Sequence, residues 1–152
     1  MAIALSGGST SYTSTISASP TAARVVTVPD VTMTMAGVDT PQTYTSGQRG
    51  EITALTDGAT ITPDLNDSNN FSVTLGGNRA MANPSNITAG QSGSIFISQD
   101  ATGSRTLTWG SYWDFASGTA PTLTTTASAV DRVDYIVRSA TSIQAVFTAN
   151  YS

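Results

Sequence analysis

The 152-residue chain contains no histidine, cysteine or lysine, and Glu51 is its single glutamate. General acid–base catalysis and thiolate nucleophiles rely mostly on His and Cys, so the composition predicts a structural or binding protein, not an enzyme, with no cofactor and no metal. Charged residues make up 11% of the chain and the net charge is −4, which argues against a nucleic-acid partner and against disorder. No stretch approaches the roughly 18 apolar residues of a membrane span, so no membrane partner is expected.

The first 45 residues differ from the rest of the chain. Ser, Thr, Ala and Gly dominate there, and large apolar side chains are sparse until Val25, Val26 and Val28. Such a segment cannot easily form a core of its own. We predict an extended N-terminal arm or strand-exchange segment over residues 1–45, with a disordered tail as the alternative. Strands are predicted within it at 12–17, 24–28 and 31–35.

Residues 46–152 are predicted to form one β-domain. Runs rich in Val, Ile, Thr and aromatic residues recur between Gly, Pro and Asn clusters, a pattern typical of all-β proteins. We therefore predict an all-β fold, a β-sandwich or jelly-roll-like domain. The predicted strands are 51–56, 71–75, 93–98, 105–109, 121–125, 130–138 and 142–149.

The last two of these strands form the clearest element, a C-terminal hairpin. Apolar residues alternate along both strands, and alternate residues of a strand share one face of the sheet. We expect the hairpin to lie at the centre of the core. The predicted inward residues are Val133, Tyr135, Val137, Ile143, Ala145 and Phe147.

Residues 109–115 hold both tryptophans and two further aromatic residues. Amphipathic aromatic side chains stack on ligands and anchor protein partners, and we predict Tyr112 and Trp113 as partner-binding residues. The alternative is structural: Trp109 and Phe115 fill the core while Tyr112 or Trp113 covers the end of the domain.

Two acidic patterns are candidate functional sites. Residues 64–70 are dense in oxygen ligands but lack the Gly at position six and the acid at position twelve of a calcium loop, which favours an Asx turn. Asp131 and Asp134 are three residues apart in a predicted strand, so they lie on opposite faces and do not form a catalytic carboxylate pair. Surface charge at the start of a strand is the role that the sequence predicts for them.

Two stretches resemble proteins of tailed bacteriophages. Residues 22–30, Ala-Ala-Arg-Val-Val-Thr-Val-Pro-Asp, are similar to a segment that recurs in fibre-like and surface proteins of these phages. Residues 55–152 resemble a domain of small phage virion proteins, through motifs at 75–79, 82–84, 88–93 and 103–107. The resemblance implies a virion protein that assembles as a homotrimer through intersubunit sheets and arms.

A capsid decoration (cement) protein on the outer surface of the phage head is the function predicted first. The chain is short for a fibre, and its sequence shows no internal period that would build a fibre shaft. The alternative is a short tail or head fibre that binds a host surface glycan. The predicted partners are further copies of the chain and the major capsid protein, with Arg24, Val26, Val28, Tyr112 and Trp113 as the predicted contact residues.

Overall fold

A computed structural model describes residue 41 and residues 43–151, and a compact unit begins at Tyr44. The strands predicted at 12–17, 24–28 and 31–35 lie outside the described residues, as do Arg24, Val26 and Val28 and most of the predicted arm. Within the described part of the chain, no helix is long and apolar enough to span a membrane.

The described residues form nine strands and one short 3-10 turn. In chain order they are β1 Ile52–Ala54, β2 Thr60–Ile61, β3 Asn70–Leu75, β4 Arg79–Met81, β5 Ser92–Gln99, β6 Leu107–Trp109, β7 Trp113–Phe115, the 3-10 turn Ala116–Gly118, β8 Val130–Ser139 and β9 Ser142–Thr148. The all-β prediction is confirmed.

The first six strands wind as a coil. Odd-numbered strands pair in parallel in one sheet, β1-β3-β5, and even-numbered strands pair in parallel in a second sheet, β2-β4-β6. Each turn of the coil therefore contributes one strand to each sheet, as in solenoid proteins. The hairpin β8-β9 continues the first sheet with antiparallel pairing, and β7 pairs in parallel with β9 at its far edge.

This arrangement differs from the predicted sandwich or jelly roll, whose strands pair antiparallel. It also explains why no period is visible in the sequence. Ile52 pairs with Asn70 and Asn70 with Ser94, so successive turns advance 18 and then 24 residues. Turns of unequal length place equivalent residues at no fixed spacing.

One hydrophobic core lies between the two sheets. Inward residues alternate along the long strands, and in-register pairs such as Phe71 with Ile95 and Ile95 with Val133 stack across the first sheet. The buried members of the core are Ile61, Leu65, Phe71, Val73, Leu75, Met81, Ile95, Ile97, Leu107, Trp113, Leu123, Val133, Tyr135, Val137, Ile143 and Ala145. The predicted hairpin face is confirmed except at Phe147, which is only partly buried against the core.

Hydrogen bonds between polar side chains hold the turns of the coil together. Arg79 donates two hydrogen bonds to Asp57 at 2.7 and 2.8 Å, linking the loop after β1 to β4. This hydrogen bonding holds the pKa of Asp57 below its usual value. Asp64 accepts from the backbone N–H of Asn66 at 2.9 Å, which confirms the predicted Asx turn, and its carboxylate also accepts from the amide of Asn86.

Asp131 is a core anchor and not the surface charge that the sequence predicted. It is 1% exposed and accepts hydrogen bonds from the Thr124 backbone N–H at 2.8 Å, the Thr124 hydroxyl at 2.7 Å and the Asn150 N–H at 2.8 Å. The predicted strand 121–125 is consequently absent: the Thr124 N–H donates to a side chain instead of a neighbouring strand. Asp134 lies on the outer face of the sheet, so the predicted separation of the two acids is confirmed.

Candidate functional site

The short strand β7 is positioned by the loop that precedes it. Asn83 accepts a hydrogen bond from the Tyr112 N–H at 2.9 Å, and its amide donates to the Ser111 hydroxyl at 3.3 Å. A Cβ on Gly110 would collide with the Asn83 side chain and backbone, so glycine is the residue that permits this close approach. The loop delivers β7 to the edge of β9, where Asp114 pairs with Gln144.

An aromatic cluster surrounds β7. The Trp109 ring makes edge-on contacts with Trp113 and Phe115, at centroid distances of 5.3 and 4.9 Å, and Trp113 contacts Tyr135 at 6.1 Å. Edge-on pairs place the positive rim of one ring against the negative face of the next. The cluster is thus a fixed arrangement that holds β7 against the core.

The burial of these aromatic residues in the structure differs from the sequence prediction. Trp113, a predicted partner-binding residue, is 6% exposed and its indole donates to the Ala82 carbonyl at 3.0 Å. That burial leaves it little surface for a partner. Tyr112, the other predicted contact residue, is partly buried, as are Trp109 and Phe115, which the structural alternative had placed inside the core.

Trp109 carries an unusual polar group. Its indole nitrogen is buried and has no hydrogen-bond partner within residues 43–151. A buried donor without a partner costs about 1–3 kcal/mol. The aromatic cluster therefore includes one polar group that the described fold leaves unsatisfied.

Two surface hollows flank β7. The aromatic hollow, lined by residues 109–111 and 113–115 with Gly118 and Ala120, has a volume of about 280 Å³. The hairpin hollow, lined by residues 114–116, 134–136 and 144–146, has a volume of about 480 Å³. Asp114 and Phe115 line both, so the hollows adjoin along β7.

The carboxylates at these hollows differ in their charge balance. Asp134 accepts from Ser94 at 2.6 Å and from the Arg132 guanidinium at 2.8 and 3.0 Å, which offsets its negative charge. Asp114 is exposed, and its carboxylate accepts a hydrogen bond from the neutral Ser142 hydroxyl at 2.6 Å. No arginine among residues 43–151 lines either hollow. Asp114 is therefore the dominant local charge at the site.

The hairpin hollow also has an apolar component. Ile136 is 49% exposed and Val146 is 65% exposed, and both project from the outer face of the β8-β9 hairpin. Gln144 pairs with Ile136 across the strands and lies two residues from Val146 along β9. Large apolar side chains beside a carboxylate and an amide form a surface suited to an amphipathic ligand. The sequence prediction missed Asp114, Ile136, Gln144 and Val146 as site residues.

No group of three or more acidic side chains that could hold a metal ion occurs among residues 43–151. The site instead combines aromatic rings, one unbalanced carboxylate and an amide on a rigid β-scaffold.

A protein-family model described as "Putative phage tail fibre C-terminal domain" matches residues 27–141. The match spans most of the chain, and the chain therefore belongs to this family of fibre-like phage virion proteins. It includes β1 to β8 and every residue of the aromatic hollow. No curated protein and no solved structure is significantly similar to the chain.

Proposed function

We propose that this chain is a tail fibre protein whose β-domain binds a glycan on the surface of the host cell through the hollows beside β7. The family match favours a fibre over the capsid decoration protein that the sequence predicted first. The observation that carries the binding role is the aromatic hollow, with an exposed carboxylate at its rim.

The winding of β1 to β6 explains how a fibre-like protein can lack an internal period in its sequence, which was the argument against a fibre. A solenoid adds length one turn at a time, and neighbouring turns stabilise one another without equal repeat lengths. Three such turns stack in the described residues. A short fibre-like element is therefore compatible with a sequence that shows no regular period.

A sugar fits the chemistry of the site. Pyranose rings have an apolar face and a rim of hydroxyl groups, and aromatic side chains combine a large apolar surface with a polar edge. Phe115 and Trp109 supply partly exposed rings, while Asp114 and Ser111 supply exposed polar groups within the same hollow. Rings that are already packed against the core need little ordering on binding, which favours affinity.

The proposal includes a homotrimer that acts without catalysis and without a cofactor. The resemblance to trimeric virion proteins supports self-association. Light scattering of the purified chain distinguishes a trimer from a 15.6 kDa monomer. A monomer at micromolar concentration would remove the trimer from the account.

The binding role is tested by filling the aromatic hollow. Ala120 is exposed and lines it, so Ala120→Phe should block ligand entry with little effect on folding. Ala101→Phe is the matched control, because Ala101 is also exposed and lies in a turn away from both hollows. We expect fluorescently labelled protein to bind host cells, with at least a tenfold loss for Ala120→Phe and no loss for the control. Equal binding by both variants would show that this hollow is not the receptor site.

A further inference from the structure

The ligand assignment made here rests on the proposed glycan-binding function. We propose that the two hollows form one continuous site for an uncharged glycan of at least two sugar rings, and that Asp114 selects against anionic glycans.

The length of the ligand is inferred from the adjoining hollows. The aromatic hollow alone, about 280 Å³, is slightly smaller than typical ligand pockets, which measure about 300–1,000 Å³. The hairpin hollow adds about 480 Å³ on the other side of β7. Because Asp114 and Phe115 line both, a ligand that fills the aromatic hollow can continue across β7 into the second hollow.

The second hollow offers contacts of the same kind as the first. Ile136 and Val146 present exposed apolar surface, and Gln144 pairs with Ile136 and lies in register with Asp114 on the neighbouring strand. A second sugar ring can place its apolar face on the aliphatic side chains and its hydroxyls at the Gln144 amide. Each half of the site therefore combines an apolar surface with a polar group.

The charge selectivity is inferred from Asp114. Asp114 lines both hollows, and neither is lined by an arginine of residues 43–151 that would offset its charge. A carboxylate accepts hydrogen bonds from sugar hydroxyls but repels carboxylate or phosphate groups of a ligand. Two like charges about 4 Å apart in water repel by about 1 kcal/mol, which corresponds to about fivefold weaker binding.

The test uses oligosaccharides released from the host cell envelope by mild acid and separated by charge and by size. Both tryptophans line the aromatic hollow, so their fluorescence reports binding by the full chain. We expect neutral fragments of two or more rings to bind at least tenfold more tightly than neutral monosaccharides. Anionic fragments of equal size should bind at least fivefold more weakly than neutral ones.

Two variants separate the parts of the proposal. Asp114→Asn removes the charge, and we expect the difference between neutral and anionic fragments to fall below twofold. Asp67→Asn, at an exposed acid that lines neither hollow, should leave that difference unchanged. Ala116→Phe fills the hairpin hollow alone and should reduce the affinity for two-ring fragments to that for monosaccharides.

The outcomes distinguish this inference from the proposed function. Equal binding of anionic and neutral fragments by the unmodified chain would refute the selectivity but leave glycan binding intact. Unchanged two-ring affinity in Ala116→Phe would refute the continuous site. If no fragment binds, the proposed function itself is wrong, and this inference with it.

Discussion

Replacement of Asp131 by asparagine should strongly destabilise the β-domain. The carboxylate lies at the start of β8, 1% exposed, and accepts three hydrogen bonds from Thr124 and Asn150. Through them it ties the segment before β8 and the segment after β9 to the same strand. The role of the residue is thus to close the C-terminal part of the domain around the core.

The magnitude follows from what asparagine can still accept. Hydrogen bonds to a charged group contribute about 1.5–3 kcal/mol each, and a buried donor left unpaired costs a similar amount. Asparagine keeps one acceptor oxygen, but its NH2 group must face a backbone N–H, either that of Thr124 or that of Asn150. We therefore expect Asp131→Asn to reduce the free energy of unfolding by about 2–4 kcal/mol.

Urea unfolding of the full chain, followed by tryptophan fluorescence, measures this loss. The midpoint should fall while the dependence on urea concentration stays constant, which indicates a change of stability and not of the unfolded state. Asp67→Asn, at an exposed acid, should change the stability by less than about 0.5 kcal/mol. A loss below about 1 kcal/mol for Asp131→Asn would refute the assigned anchoring role.

Three further substitutions test the core. Gly93→Ala should lower the free energy of unfolding, measured with urea, by about 3 kcal/mol, because the new Cβ would collide with the Asn69 carbonyl. Gly47→Ala is the control: its Cβ would lie in open space, and the free energy of unfolding should fall by less than about 0.5 kcal/mol. Burial raises the pKa of Tyr135 to about 12, so the folded state retains a proton that the unfolded chain loses above about pH 10. Stability should fall as the pH rises from about 10 to 12, and Tyr135→Phe should abolish that slope; an identical slope in the variant would contradict the assignment. Phe147→Ala should cost about 1–3 kcal/mol, less than a fully buried phenylalanine, and a loss above about 4 kcal/mol would show that the ring is buried in solution.

The long strands could be predicted from the sequence because their alternation extends over six or more residues. β3, β5 and the β8-β9 hairpin all show this period and were found within one or two residues of their ends. β2, β4 and β7 have two or three residues each, too few to show a period of two. Parallel pairing was not predictable either, since it depends on which strands meet in space and not on the pattern within each strand.

The candidate site was only partly predictable. The sequence indicates the aromatic stretch 109–115, but it predicts Trp113 as a partner-binding residue, and the predicted site residues do not include Asp114. The order Trp-Asp-Phe at 113–115 contained the missing signal, because alternation along a strand exposes Asp114 where Trp113 is buried. The hairpin hollow could not be predicted, since β7 and the hairpin are brought together by the Asn83 contacts that fix the preceding loop.

The position of the chain on the virion tests the central claim most directly. Gold-labelled antibodies against the purified chain can be located on intact phage particles by electron microscopy. The account predicts label on the tail and its fibres, with none on the head. Label distributed over the head surface would contradict the tail fibre assignment and restore the capsid decoration protein.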